Sequence, residues 1–309
     1  MSLLSATQES FRTHKRYELL AYSGLLLLGS AISIVCRFFP ADLPVWMPWE
    51  FSWPVFLVTA LGLSWFVLGL ARLSDASRPA VWRQVSFVLG VLLVYAVLQT
   101  HFDYFAQHMF FIHRAQHFVL HHIGAFLIAL GMPGEAIRAG MPNLVRRRVF
   151  DATPVRKAVD VIQHPAVAPV LFVGLIYLWL IPAFHTRVML DLDLYNVMNW
   201  SMAIDGIFFW SLILDNRPRP PARLGFGLRA LLVIAVEPLQ MALGAVLSLS
   251  STDYYPVYRI CGRLWDIAAL SDQHYGGLII WLPSTLTSLA GMICVLVFMR
   301  LDEEKLSHA

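Results

Sequence analysis

Apolar residues in this chain fall in runs of about 17 to 24, separated by polar stretches. The three-to-four-residue alternation of a helix half exposed to water is absent from these runs. At about 1.5 Å rise per residue, a helix of that length crosses most or all of a hydrocarbon layer of roughly 30 Å. The pattern predicts about eight spans, seven being the alternative count. They fall at approximately Leu19–Phe38, Pro54–Leu73, Gln84–His101, Met109–Gly131, Ala168–Phe184, Met198–Leu214, Leu228–Leu249 and Gly276–Met299. The fold class expected is all-α, a polytopic transmembrane helical bundle. No internal repeat or low-complexity linker divides it, so residues 1–309 read as a single integral membrane domain.

Composition agrees with a lipid-facing exterior. The 309 residues are 58% hydrophobic and 14% charged, where a soluble domain carries about 25% charge. Net charge is only +3, and no basic run interleaved with aromatics suggests nucleic acid. The placement of the basic residues says more than their number. With the N-terminus inside, 18 of the 23 Lys and Arg fall in cytoplasmic segments. Arg37, Arg114, Arg187, Arg259 and Arg263 remain for the outer side. That asymmetry predicts an even number of spans with both termini cytoplasmic.

The connecting segments differ in kind. The N-terminal 18 residues are polar and basic, with no cleavable signal. Residues 132–167 form a basic cytoplasmic loop with an amphipathic stretch around Arg146–Val161. The outer loop Pro40–Trp53 carries Trp46, Trp49 and Trp53, suited to an interfacial belt. Residues 250–275 read as a polar periplasmic loop. Cys36, Cys261 and Cys294 form no CxxC; a Cys36–Cys261 disulfide is possible, and small buried hydrophobes are the plainer reading.

The densest chemical signal lies between His101 and Pro133, which holds six of the eleven histidines. His113, His117 and His121 follow at i, i+4 intervals and share one helical face. Asp103 joins that face if the helix extends back to residue 101, while His101, His108 and His122 lie opposite. Imidazoles one turn apart have the spacing of zinc or copper ligands. Polar residues in a span are costly and tend to be functional. The alternative is that these histidines hydrogen-bond between helices or sit at headgroup level.

Other polar residues fall toward the same outer side. His185, Asp191, Asp193, Asn196 and Asn199 flank the fifth-to-sixth connection. Asp272, Gln273 and His274 precede Gly276 and Gly277 at the start of the eighth span, where Ser271 or Asp272 could equally be an N-cap. Asp205 and Glu237 lie near mid-span. Met109, Met189, Met198, Met202 and Met241 are candidate thioether donors, though packing explains any one of them better.

An ordered set of motifs resembles a known family. His113, Gln116, His117 and Leu120 lead to Leu130-Gly131-Met132-Pro133. Tyr177-Leu178-Trp179 with Ile181-Pro182 and Asp205-Gly206-Ile207-Phe208-Phe209-Trp210 follow. Pro238-Leu239-Gln240 with Leu243-Gly244, Asp272-Gln273 with Gly276-Gly277, and Trp281-x-Pro283 complete the set. Over roughly residues 50–300 the chain resembles the caa3-type CtaG family of cytochrome c oxidase assembly proteins. The resemblance implies a multi-pass protein of the bacterial inner membrane that handles copper during maturation of a haem–copper oxidase. It implies oxidase subunits and periplasmic copper donors as partners, and carries importance to His113, His117, Asp272 and Gln273. The pattern departs at Leu180 and Asn199, where many members have His, while His121 and His185 are additions.

The function expected is therefore copper handling at the periplasmic helix ends. Candidate metal residues are His113, His117, His121, Asp272, His274 and His185. Asp103, Gln116, Gln273, His108, Asp205 and Asn199 are supporting candidates. Imidazole and thioether donors favour copper over magnesium or calcium, with zinc kept as a second candidate. Haem clamped between His101 or His108 and His122, in a redox protein, is one alternative. A metal-free transporter using Asp205 and Glu237, or a scaffold, is the other. No nucleophile elbow, Walker loop, dinucleotide fingerprint or HExxH is present, so ordinary catalysis is unsupported.

Overall fold

The computed structural model describes residues 3–307, with side chains from Leu20 onward. Arg12, His14, Lys15 and Arg16 of the polar N-terminal stretch, and His308 near the other terminus, have side chains outside the described residues. Among the described residues the chain is helical and has no strand. Helix α1 spans Leu3–Phe38 and stops two residues before Pro40. Helix α2, Trp53–Arg72, opens with Pro54, whose missing N–H needs no partner in a first turn. Helix α3, Val81–Gln99, runs back to Thr100, whose hydroxyl oxygen accepts from Phe102 N at 3.2 Å and starts α4, His101–His108.

The fourth expected span is broken into pieces. Met109 is extended (φ −135°, ψ 126°) and separates α4 from α5, Phe110–Phe118. A π-helical turn, Val119–Ile123, joins α5 to α6, Gly124–Leu130. The chain then bends by 75° into α7, Gly134–Gly140. Residues 132–167 are largely helical rather than loop. After short turns at 143–150 comes the amphipathic α8, Thr153–Ile162, which exposes Val155 and Val161. A 77° bend leads into α9, Val167–Leu180. Pro182 ends α9, since the residue before proline avoids the helical region, and opens α10, Pro182–Met189. Asp191 caps α11, Leu192–Ile213, its Oδ1 accepting from Asp193 N at 3.0 Å and Leu194 N at 3.1 Å. Helices α12, Phe226–Leu249, and α13, Ala269–Ser307, pack along one another and close the bundle.

Among the described residues, five helices are long and apolar enough to span a membrane: Leu20–Phe38, Trp53–Arg72, Val81–Gln99, Phe226–Leu249 and Ala269–Ser307. Two bent pairs, Phe110–Leu130 with Gly134–Gly140 and Thr153–Ile162 with Val167–Leu180, raise this to seven. Helix α11, at 22 residues, is long enough but carries Asn196, Asn199 and Asp205, and is not among them. Burial is inverted relative to a water-soluble protein. Leu27, Val67, Ile234 and Leu286 are exposed, while His113, Gln116, Asp205, Gln240 and Asp272 are buried. This is the arrangement a transmembrane bundle requires, with backbone bonds closed within helices and polar side chains turned inward. The three cysteines are free thiols.

Two ends of the bundle can be told apart. Trp46 and Trp49 lie at one, where Trp49 packs on the rings of His101 and Tyr104. The other gathers Arg78, Arg83, Glu135, Asp215 and Arg217 around one cavity. At that arginine-rich end α7 lies directly on α2. A Cβ on Gly69 would overlap the carbonyl oxygen of Ala136, whereas one on Gly62 of the same helix would meet nothing within 4 Å. Gly69→Ala should therefore destabilise by about 1–3 kcal/mol, the usual cost of overpacking. Gly62→Ala should be neutral or slightly stabilising. Thermal unfolding of the two variants in detergent checks this; equal behaviour would disprove the close α2–α7 approach.

Candidate functional site

Helix α5 runs through the middle of the bundle, and what holds its first turn is a residue from the far end of the chain. The extended Met109 leaves the amides of Phe110 and Phe111 without intrahelical acceptors in an apolar interior. The carboxylate of Asp272, on α13, supplies them. Oδ2 accepts from Phe110 N at 3.1 Å and Oδ1 from Phe111 N at 2.8 Å, and Arg263 pairs with Oδ2. Asp272 is fully buried and thus caps α5 rather than its own helix. Next to it, Gln273 ties down the preceding segment. Its Oε1 accepts from Tyr254 N at 2.8 Å, and its Nε2 donates to Thr252 O at 3.0 Å.

With α5 so fixed, His113 and His117 face each other. Their Nε2 atoms are 3.1 Å apart, and both side chains are buried. His185, from α10, joins them through Tyr258, which lies in the short turn Val257–Ile260. The Tyr258 hydroxyl is 2.7 Å from His113 Nδ1 and 3.0 Å from His185 Nε2. The proton positions follow from the partners. His185 Nδ1 faces the carbonyl oxygen of Trp179 at 2.8 Å, and a carbonyl only accepts. In the neutral ring the proton is therefore on Nδ1, and Tyr258 donates its hydroxyl proton to the bare Nε2. The tyrosine oxygen then accepts from His113 Nδ1–H, leaving the lone pair of His113 Nε2 aimed at His117. His117 Nε2 is also 3.2 Å from Asn199 Oδ1 on α11.

A second network braces this one from α4. Asp103 Oδ1 accepts from Gln116 Nε2 at 2.6 Å and from the Tyr195 hydroxyl at 2.9 Å, and Gln107 donates to Oδ2 at 2.9 Å. Asp103 thus meets the histidine helix even though the chain breaks at Met109. A polar cavity of about 150 Å³ opens there, lined by Glu50, Asp103, Gln107, Tyr195, Asn196 and Asn199, among others. It reaches Asn199, the neighbour of His117.

The remaining candidates lie elsewhere. The π-turn interrupts the i, i+4 series, and His121 leaves the pair to meet Asp205, Nε2 to Oδ2 at 3.2 Å, with its ring stacked on Phe172. The backbone there is clasped. Trp210 Nε1 donates to His121 O at 3.2 Å, and a Cβ on Gly206 would crowd that same peptide. His274 bonds Ser250 O, and His108 the carbonyl oxygen of Tyr104. Thr285 donates to Glu237. The structure therefore brings His113, His117, His185 and Asn199 together, and places His121, Asp272 and His274 outside that cluster. Tyr258 and Tyr195 were not foreseen: each acts across at least 73 positions of sequence, and nothing local marks it. Arg114 did carry a signal, as a charge inside an apolar run. It is buried, with Nε and Nη2 lacking a partner among the described residues and its guanidinium over the Phe110 ring.

The donor set can be tested against a metal. Two nitrogens each about 2.0 Å from a shared tetrahedral ion lie about 3.3 Å apart, close to the His113–His117 separation of 3.1 Å. Among the described residues, no three His, Cys, Asp or Glu side chains converge into a complete metal-holding group. The pair fits two positions of a coordination shell, with Asn199 beside it and Met189 Sδ 3.9 Å from the Tyr258 oxygen.

A model of the family described as cytochrome c oxidase caa3 assembly factor (Caa3_CtaG) matches residues 64–301. The chain is 27% identical over 226 residues to "Uncharacterized protein ML1998" of Mycobacterium leprae, an alignment covering 70% of this chain and 34% of that protein. It is 31% identical over 183 residues to "Uncharacterized protein Mb0105" of Mycobacterium bovis, covering 56% of this chain and 27% of that protein. The aligned part of this chain thus spans about a third or less of the length of these curated relatives. No solved structure matches.

Because Asp272 satisfies two backbone amides and a guanidinium at once, Asp272→Ala should cost about 3–5 kcal/mol, the penalty for stranding a buried charge. Asp272→Asn, which keeps an acceptor oxygen, should cost less. Thermal unfolding in detergent measures both. A Asp272→Ala variant of unchanged stability that had lost only metal binding would make the carboxylate a ligand instead of a cap.

Proposed function

The chain belongs to the caa3-type CtaG family of cytochrome c oxidase assembly factors, and on that premise we propose that it passes copper to a haem–copper oxidase through the His113–His117 pair. The observation that carries this reading is the approach of two buried imidazole nitrogens to 3.1 Å, with the lone pair of His113 Nε2 pointing into the gap. Imidazole suits copper, and neutral ligands cost less to desolvate than carboxylates. Tyr258 and His185 act behind the pair. By fixing the proton of His113 on Nδ1 they hold its Nε2 ready, as outer partners of metal-bound histidines do. The cavity lined by Glu50 and Asp103 supplies an acidic approach to Asn199 and His117.

Copper is cargo on this reading. Two protein nitrogens leave coordination positions open, and an open position is what a donor or acceptor protein needs in order to exchange ligands with the ion. The concentration of basic residues in the connections at the other end supports placing this site on the periplasmic side. Oxidase subunits and periplasmic copper donors are then the partners.

The test is a Cu(I) competition titration on the detergent-purified chain. His113→Ala with His117→Ala should abolish binding, and Tyr258→Phe should weaken it about 10–100-fold, the usual loss when an outer partner is removed. His274→Ala should leave it unchanged. In cells, oxidase made beside the double variant should contain haem but be short of copper. If the intact chain fails to bind Cu(I), or the double variant leaves oxidase copper intact, the histidines serve only to join helices.

A further inference from the structure

At the arginine-rich end, far from the histidines, a cavity of about 570 Å³ lies where the α2–α3 connection, the α6–α7 bend and the end of α11 meet. That volume is in the ~300–1,000 Å³ range of small-molecule sites. One wall is apolar, formed by Ile128, Ile207 and Leu214, and three arginines, Arg78, Arg83 and Arg217, line the rest together with short polar stretches.

Two of the arginines are already matched. Arg78 pairs with Asp75 at 2.8 Å and donates to Leu70 O, and Arg217 grips both oxygens of Asp215, each at 2.8 Å. Arg83 is different. It stands half-buried in the first turn of α3, against the ring of Trp82 at 4.9 Å. Its guanidinium donates to the sulfur of Met132, a weak acceptor, and no carboxylate pairs with it among the described residues. Glu135, the other acid at this cavity, is exposed on its rim, where water and salt screen it. Met132 itself sits at φ 47°, a left-handed backbone that residues with a Cβ rarely adopt. The chain thus holds a strained residue in the position where a half-buried cation lacks its counter-charge, a combination typical of ligand sites.

We propose that this cavity binds an anionic phospholipid. Its phosphate takes the Met132 sulfur's place on Arg83, and an acyl chain lies along Ile128, Ile207 and Leu214. A phosphate anion is the shared chemistry, and the apolar wall selects the lipid over the free ion. Basic pockets between helix ends on one face of a membrane bind such headgroups. The site is independent of the copper reading, since it lies at the other end of the bundle.

Native mass spectrometry of the delipidated full chain, titrated with phosphatidylglycerol, phosphatidylcholine of the same acyl chains, or inorganic phosphate, tests this. Phosphatidylglycerol should bind at least fivefold better than phosphatidylcholine. Arg83→Gln should reduce it to the phosphatidylcholine level, while Arg83→Lys retains most of the preference. Ile207→Trp fills the apolar wall without touching a charge and should also lose the lipid, which keeps the test decisive if Arg83→Gln fails to fold. Equal binding of the two lipids would overturn the proposal, as would a preference surviving Arg83→Gln. Arg300→Gln, at an exposed arginine outside the cavity, should change nothing; a loss as large as that of Arg83→Gln would mark a general charge effect and sink the site. Full competition by inorganic phosphate, with Ile207→Trp silent, would make it a phosphate site and refute the lipid.

Discussion

The carboxylate of Asp272 holds the first turn of a helix that begins 162 residues before it, and the central arrangement depends on that contact. Helix α5 starts in the interior of the bundle at a break in the chain. In water its first amides would be solvated, but here they face an apolar surround where an unmet donor costs several kcal/mol. Asp272 answers two of them, and Arg263 balances its charge. The same contact fixes the rotation of α5 about its axis. With Phe110 and Phe111 pinned to α13, the third and seventh residues beyond Phe110 turn toward α10, α11 and the Val257–Ile260 turn. Asp272, a candidate ligand in the sequence, thus holds the helix that carries the imidazoles.

Most of the fold could be read from hydrophobic run length alone. The runs at residues 54–73 and 228–249 became single helices, and that at 84–101 a helix as far as Gln99, because little in them competes with helical backbone bonding; α12 accommodates Pro238. The run at 109–131, richer in polar residues, begins at the Met109 break and is wound into a π-turn at 119–123. No proline or glycine announces the first, and only Gly124, whose N–H bonds Val119 O, stands beside the second. The first is stabilised by Asp272 and the second by Trp210 and Gly206, all of them distant in sequence. Sequence periodicity carries no information about such partners. The 132–167 segment shows the reverse. Its polarity suggested a loop, but its amphipathic spacing and Pro154 in a first turn are enough for α8.

Legibility of the site divides along the same line. The His113–His117 pair was visible because both rings lie on one uninterrupted turn, where i, i+4 geometry applies without help. His121 obeyed the same spacing on paper, but the wider π-turn begins at Val119, between it and His117, and the ring comes to Asp205 instead. His185 was legible only as a histidine near the same membrane face. What links it to His113 is Tyr258, a residue in a segment with no periodicity. Asn199 occupies a position where the family resemblance leads one to look for histidine, and it does sit against His117, now offering an amide oxygen.

Arg114 gives this cluster its electrostatic character. It follows His113 directly and is buried, and among the described residues no acid pairs with it in the way Arg263 pairs with Asp272. Like charges close together in a poorly screened interior repel more strongly than they do in water. A cation between His113 and His117 would therefore be held by two good ligands and pushed by a neighbouring guanidinium. Permanent storage would call for the opposite design, with a carboxylate or thiolate completing the shell and offsetting the charge. An ion bound by neutral nitrogens beside an uncompensated arginine leaves readily for a partner that offers anionic ligands. On the copper reading, Arg114 is what makes the site a place of exchange: it limits residence without altering the imidazole geometry that gives the ion its foothold.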